Sequence, residues 1–255
     1  MAGAPLRVWL ERGGRLLRLR LDRPKANIVD AAMIAALREA LDAHRGAGLL
    51  AVLLDGEGPN FSFGASVEEH LPAQCAAMLA ALHGLVLEML EFPAPVLAAV
   101  RGQCLGGGLE VALAASRIFA APGAHFGQPE TRLGVFAPAA SCLLPYRVNQ
   151  TLAEDLLLSG RALEADEARA AGLVAQVDVD PEAAALAWFD AHLAPKSAAA
   201  IGQATRAARV AMLGPVKARL AEVERQYLEE LMKTRDANEG LQAFIEKRPA
   251  LWTHQ

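Results

Sequence analysis

The chain has 255 residues, 53% hydrophobic and 21% charged, with a mean hydropathy of +0.22; it can bury a full core, and this composition excludes intrinsic disorder. A net charge of −4 and a pI of about 5.9 supply no general field for a phosphate backbone, so nucleic acid is not expected as a partner. The longest uncharged stretch, Leu71 to Leu87, is interrupted by Pro72, Gln74 and His83, so the roughly 18–20 clean apolar residues of a membrane span are missing.

The start, Met1-Ala2-Gly3-Ala4-Pro5, has no basic region leading into an apolar core, and export is not expected. Residues 6–21 read as a hairpin. Gly13-Gly14 supplies the turn, and Leu17, Leu19 and Leu21 alternate with Arg18 and Arg20 as in a half-buried strand. Asp30 is a good N-cap, Met33, Ile34, Leu37 and Leu41 follow at helical spacing, and Leu49 to Leu54 returns to a short buried strand. A helix is expected around Gln74 to Phe92, then a strand at Val96 to Val100, a glycine-rich turn, a short helix from about Gly107 and a strand near Arg117 to Ala121. Strands alternating with helices predict an α/β core. From about Pro181 the strand signal stops, and residues 181–194, 197–213, 215–236 and 238–247 read as four helices, with Pro195 and Gly214-Pro215 as breaks. Val216 to Met232 places Leu220, Val223, Tyr227, Leu228 and Leu231 along one face, to be covered by the chain's own core or by another subunit.

The densest chemical signal is Val100-Arg101-Gly102-Gln103-Cys104-Leu105-Gly106-Gly107-Gly108-Leu109-Glu110. A strand runs into three glycines and a helix starts at once, so free N–H groups could meet an oxyanion, or the glycines could simply let helix and strand pack closely. Glu110 could be a helix-start charge; Glu130, in Phe126-Gly127-Gln128-Pro129-Glu130, could be a solvated loop carboxylate. Placed together, the two could divide acid and base roles. In Pro59-Asn60-Phe61-Ser62-Phe63-Gly64-Ala65-Ser66, a backbone N–H could be a second oxyanion donor. No Gly-x-Ser-x-Gly elbow supports a serine nucleophile. Cys104 and Cys142 read as core rather than thiol nucleophiles. The cysteines Cys75, Cys104 and Cys142 form neither a disulfide framework nor a zinc pattern and fit a reducing cytoplasm, and the histidines show no metal-ligand spacing, so no metal is expected.

Taken in order, these segments resemble the crotonase (enoyl-CoA hydratase/isomerase) superfamily. Further matching runs are Arg23-Pro24-Lys25-Ala26-Asn27, Ala170-Ala171-Gly172-Leu173-Val174 and Phe244-Ile245-Glu246-Lys247-Arg248, so the similarity spans essentially the whole chain. The resemblance implies an α/β fold, a spiral of ββα units over residues 1–190 carrying the active site, with a helical oligomerisation region over 191–255. It also implies acyl-CoA thioester substrates, no cofactor beyond the CoA of the substrate, and a homotrimer or a hexamer built as a dimer of trimers. By position, the N–H groups of Ala65 and Gly107 become an oxyanion hole, and Glu110 and Glu130 the two glutamates with which hydratases orient and activate water and deliver a proton. Retention of both favours hydration. CoA contacts fall by position on Lys25, Ala26, Ser66, Val67, Phe244 and Lys247.

Three departures stand out: Ser66 where many members carry Asp, Leu109 where Cys is frequent, and Val135-Phe136-Ala137-Pro138-Ala139-Ala140-Ser141-Cys142 in place of a glycine-rich run bordering the acyl pocket. The last is expected to stiffen and reshape that pocket, with Phe136, Pro138 and Cys142 on it. These variants look similar to the cyclohexa-1,5-diene-1-carbonyl-CoA hydratases of anaerobic benzoyl-CoA breakdown. An ordinary 2-enoyl-CoA hydratase is the nearest alternative; a non-enzymatic RNA-binding role, known for a few superfamily members, is opposed by the acidic pI.

Overall fold

The computed structural model describes residues 3–46 and 48–255; Met1 and Ala2 of the N-terminal reading lie outside the described residues. In chain order the strands are β1 (Leu6–Glu11), β2 (Leu16–Leu21), β3 (Ala51–Gly56), β4 (Val96–Val100), β5 (Gln103–Leu105), β6 (Arg117–Ala120), β7 (His125–Gly127), β8 (Ala162–Glu164) and β9 (Gln176–Val177). The helices are α1 (Ala31–His44), α2 (Cys75–Leu90), α3 (Gly107–Leu113), α4 (Pro138–Leu143), α5 (Gln150–Ser159), α6 (Ala165–Ala170), α7 (Pro181–His192), α8 (Ala198–Glu229) and α9 (Arg235–Ile245).

β1 and β2 form the expected antiparallel hairpin, with Leu10 opposite Leu17. β3, β4, β6 and β9 then add in parallel, giving a sheet ordered β1-β2-β3-β4-β6-β9, while β5, β7 and β8 form a second, smaller sheet. The Asp30 side chain accepts the Met33 N–H, and Met33, Ile34, Leu37 and Leu41 are buried on the inner side of α1, as their spacing predicts.

Two expectations are corrected. Arg18 alternates with leucines, yet it is only 1% exposed. Its face of the large sheet is covered by α7, whose Ala185 and Phe189 pack on Leu53, Leu97 and Phe119. The charge survives there because two carboxylates face it: the Arg18 guanidinium donates to Asp55 at 2.7 Å and Glu182 at 2.5 Å. α7 is therefore a layer on the strand core, and the boundary expected at residue 190 falls inside that helix.

The second correction is at Gly214-Pro215, where no break occurs: α8 runs through both residues as one helix. A proline removes one intrahelical hydrogen bond at a cost of about 3 kcal/mol or more, and here the packing on both sides outweighs it. Ahead of the proline, Arg209 donates to the carbonyls of Met89 and Leu90, at 3.1 and 2.7 Å, and to Ser116. Beyond it, Val216, Leu220 and Tyr227 are buried in the main core. Val223, Leu228 and Leu231 pack partly buried against that core, so the apolar face of α8 is covered by its own chain.

Candidate active site

β5 and β7 are parallel neighbours, Cys104 opposite Phe126, so both chains leave the small sheet at the same edge. The Gly106 N–H donates to the Gly127 carbonyl at 3.0 Å. Beyond β5 the backbone turns at Gly106, with φ +50, directly into α3, whose first turn carries Glu110. Beyond β7, Gln128-Pro129 leads into a tight helical turn, Pro129–Leu133, that carries Glu130. Two adjacent strands thus deliver one carboxylate each at their C-terminal ends, the edge where α/β sheets open binding crevices. A Cβ at Gly106 would lie 2.7 Å from Glu130 Oε1, so this glycine serves both the left-handed turn and the approach of the second carboxylate.

Residues 61–65 run alongside β5. The N–H groups of Phe61 and Ser62 donate to the carbonyls of Arg101 and Gln103, and that of Leu105 to Ser62. This brings Ala65 against Gly107, whose Cβ, if present, would sit 2.9 Å from the Ala65 Cβ and 3.0 Å from its nitrogen. Among the described residues, neither the Ala65 nor the Gly107 N–H donates to a protein acceptor. The segment is anchored by buried Asn27, whose amide donates to the Glu57 and Asn60 carbonyls at 3.0 and 2.9 Å. The Ser62 hydroxyl donates to the Asn27 carbonyl at 2.8 Å; it is a structural bond.

These groups meet in one cavity of about 620 Å³, lined by Ala65, Ser66, Val67, Gly107, Glu110 and Glu130. Its remaining wall is mainly apolar: Leu79 and Leu82 of α2, Leu133 and Val135, then Phe136 and Pro138, with Phe244 of α9 55% exposed at the opening. Phe136 is braced edge-on by Tyr227, ring centroids 5.2 Å apart. The run 135–142 thus does shape the pocket, and it also begins α4, whose Ala140 N–H donates to Glu110 Oε1 at 2.9 Å.

The other expected residues are placed differently. Cys142 is buried in the core and does not line the cavity; α4 turns it toward Arg219 and Glu222 of α8, and burial pushes its thiol up to about 11. Lys25 and Lys247 are exposed, Ala26 is half-buried, and none of the three borders the cavity. The Ala26 carbonyl accepts the Phe63 N–H at 2.9 Å, which ties that segment to the loop carrying Ala65. Lys247 follows α9 three residues after Phe244. Leu109 is wholly buried in the core, and Ser66 donates to Glu68 Oε2 at 3.0 Å. Gln128 escaped the sequence reading of the site although it sits inside a matching motif. It is 1% exposed, and with its nitrogen turned toward Glu130 its amide lies 3.0 Å from both carboxylate oxygens.

Burial raises both carboxyls. Glu110 is held above the usual carboxylate range, chiefly by burial, and the N–H groups of Ala140 and Ala139 oppose that rise. Glu130 is pushed up to about 8, first by burial and then by the charge of Glu110. The arrangement brings together two buried carboxyls that could divide base and acid roles, beside paired N–H groups able to hold a developing oxyanion.

This fold and this constellation are those of a CoA-thioester lyase or isomerase: the family model for enoyl-CoA hydratase/isomerase matches residues 11–255, and the chain belongs to that family. Among curated relatives, it is 64% identical over 255 residues to a cyclohexa-1,5-dienecarbonyl-CoA hydratase of Thauera aromatica, covering 100% of this chain and 99% of that one. It is 32% identical over 254 residues to a carnitinyl-CoA dehydratase of Salmonella typhi, covering 95% and 97% respectively. Among solved structures, an enoyl-CoA hydratase/isomerase from Pseudoalteromonas atlantica T6c superposes with a TM-score of 0.85 at 29% identity, over 98% of this chain and 100% of the other.

Proposed function

We propose that the protein adds water to cyclohexa-1,5-diene-1-carbonyl-CoA, giving 6-hydroxycyclohex-1-ene-1-carbonyl-CoA. The observation that carries the chemistry is the meeting of Glu110 and Glu130 with the free N–H groups of Ala65 and Gly107 around one cavity. The Thauera aromatica relative supports the cyclic substrate. Phe136 and Pro138, on a wall stiffened by α4, suit a compact ring better than a long flexible chain.

The thioester oxygen lies between the two N–H groups. Glu110, as carboxylate, takes a proton from water, and the oxygen adds to the ring carbon beta to the thioester. Electrons pass into the diene and the thioester oxygen, so negative charge grows where the N–H groups already point. A donor of this kind is worth roughly 3–4 kcal/mol when removed. Glu130, as carboxylic acid, delivers its proton to the far end of the diene, and the new double bond closes between the two former ones. The 1,4 addition places attack and protonation at opposite corners of the ring, which two carboxyls from two different strand ends can bracket.

The raised Glu130 sets a direction with pH. Its acid form is present below about 8 and is lost above it, so kcat/KM is expected to fall as pH rises through that value; a profile flat to pH 10 removes Glu130 as the proton donor. CoA leaves the cavity past Phe244, with Lys247 and Lys25 beyond it as cations for the phosphates. Lys247→Ala is expected to raise KM several-fold with kcat nearly unchanged, because such a contact is equal in ground and transition states. Equal KM values count against this path.

The proposal needs no metal and no cofactor beyond the CoA of the substrate. It includes a trimer or a dimer of trimers in the cytoplasm, and a light-scattering mass of one chain at working concentration would overturn the assembly. No helix among the described residues is long and apolar enough to cross a membrane. Incubation of the protein with the cyclic dienoyl-CoA in H2(18)O tests the reaction: one 18O should appear as a ring hydroxyl beta to the thioester, and recovery of unlabelled diene contradicts it.

A further inference from the structure

Of the polar side chains on the cavity wall, Arg132 can only donate, Ser66 is spent on Glu68, and Glu110 and Glu130 belong to the proposed chemistry. His70 is left over. It ends the short turn Glu68–His70, on the stretch that follows Ala65, and it lines the cavity. Its Nδ1 lies 2.7 Å from the Ser66 carbonyl oxygen. A carbonyl oxygen can only accept, so Nδ1 carries a proton and the bond fixes both tautomer and ring orientation. Burial holds the ring below the usual imidazole range, so near neutrality it is uncharged and Nε2 is a bare acceptor. Among the described residues no protein group donates to this Nε2, and unlike Nε2 of His83 it is not sealed in the core.

We propose that His70 Nε2 accepts the pantetheine amide N–H nearest the thioester sulfur, so that this ring recognises the carrier arm of the substrate and not its acyl group. The inference rests on the placement of the thioester oxygen between the N–H groups of Ala65 and Gly107. The two carboxyls reach that point from the ends of β5 and β7. His70 comes from the Ala65 side, on a turn that packs against α9, and α9 carries Phe244 at the opening. The ring thus stands between the thioester and the opening, where the arm runs. Only two methylenes separate the sulfur from the first amide nitrogen, so this N–H lies close to the thioester and enters the cavity with it. An amide N–H drawn into an apolar cavity gives up its bond to water and needs an acceptor. His70 supplies one that the Ser66 carbonyl has already oriented, which lowers the cost of ordering it on binding. Ser66, expected to touch CoA itself, contributes here through its main chain.

Binding carries the test, so it stands even if the hydration reading fails. Calorimetry gives dissociation constants for cyclohexanecarbonyl-CoA, a saturated thioester that cannot be hydrated, and for its analogue with an ester oxygen in place of that one amide N–H. Both are measured on wild type and on His70→Phe, which keeps a flat ring without an acceptor. Each single change should weaken binding about tenfold, the worth of one ordinary hydrogen bond. The two together should cost no more than either alone, because both delete the same bond. His70→Gln, which can set its side-chain oxygen near the place of Nε2, should regain most of the loss for the amide thioester and none for the ester. A histidine that only secures the turn predicts independent losses, and additive losses overturn the proposal, as does an ester analogue that binds wild type as tightly as the amide. His70→Leu runs the same cycle at this half-buried position should His70→Phe not fold. Absence of any thioester binding to wild type overturns the proposal together with the reading it rests on, a result distinct from additive losses, which overturn the proposal alone.

Discussion

Glu110→Gln and Glu130→Gln are each expected to lower the hydration rate at least about a hundredfold with little change in KM. General acid–base groups contribute roughly 10²–10⁴-fold, and glutamine keeps the shape of the side chain while losing proton transfer. The two losses have different signatures. Glutamine at 110 still accepts the Ala140 N–H that the carboxylate accepts at 2.9 Å, so the wall formed by α4 stays in place and only the base is lost. Glutamine at 130 also removes the group that Glu110 pushes upward, so the fall in activity near pH 8 should vanish along with most of the rate. Because both residues serve one water and one ring, the double variant should be far less than multiplicatively worse. Near wild-type turnover in either single variant would show its assignment to be wrong.

Gly107→Pro is expected to abolish turnover in a folded protein. Proline is well tolerated at the first position of a helix, where its N–H would have no intrahelical partner, and Gly107 is the first residue of α3. The helix can therefore persist while one oxyanion donor is deleted, a loss of about 10²–10³ in kcat by itself. The added Cβ would also press on the Ala65 Cβ and nitrogen, 2.9 and 3.0 Å away, and displace the second donor. Gly107→Ala separates the two effects: it retains the N–H but brings the same collision, and should lose less than the proline variant. Normal activity in Gly107→Pro, with an unchanged circular dichroism spectrum, excludes this N–H from the reaction.

Much of this site was legible because its parts are local. The cap at Asp30, the strand at Val96 to Val100 and the glycines that open α3 each declare themselves within a few residues. Glu110 and Glu130 could be matched to a pattern, but their meeting depends on the pairing of β5 with β7, which no local spacing encodes. What remained hidden is tertiary. Arg18 reads as a solvent residue until α7 covers it. Pro215 reads as a break because the core contacts of Val216 and Tyr227 that hold α8 together lie on other elements. Cys142 reads as a pocket residue because it lies in the run 135–142 that the resemblance sets at the acyl pocket, but α4 carries it into the core. His83 Nδ1 meets Glu224 Oε2 at 2.5 Å across 141 residues of chain, and a lone histidine among leucines gives no local sign of its partner.

The most direct test of the central claim is a side-by-side spectrophotometric assay of purified protein with cyclohexa-1,5-diene-1-carbonyl-CoA and with crotonyl-CoA. Rapid hydration of the cyclic diene, with a kcat/KM at least about tenfold above that for crotonyl-CoA, a difference of 1.4 kcal/mol in transition-state binding, is the result this account predicts. A preference for crotonyl-CoA, or no turnover of the diene by folded protein, would contradict it.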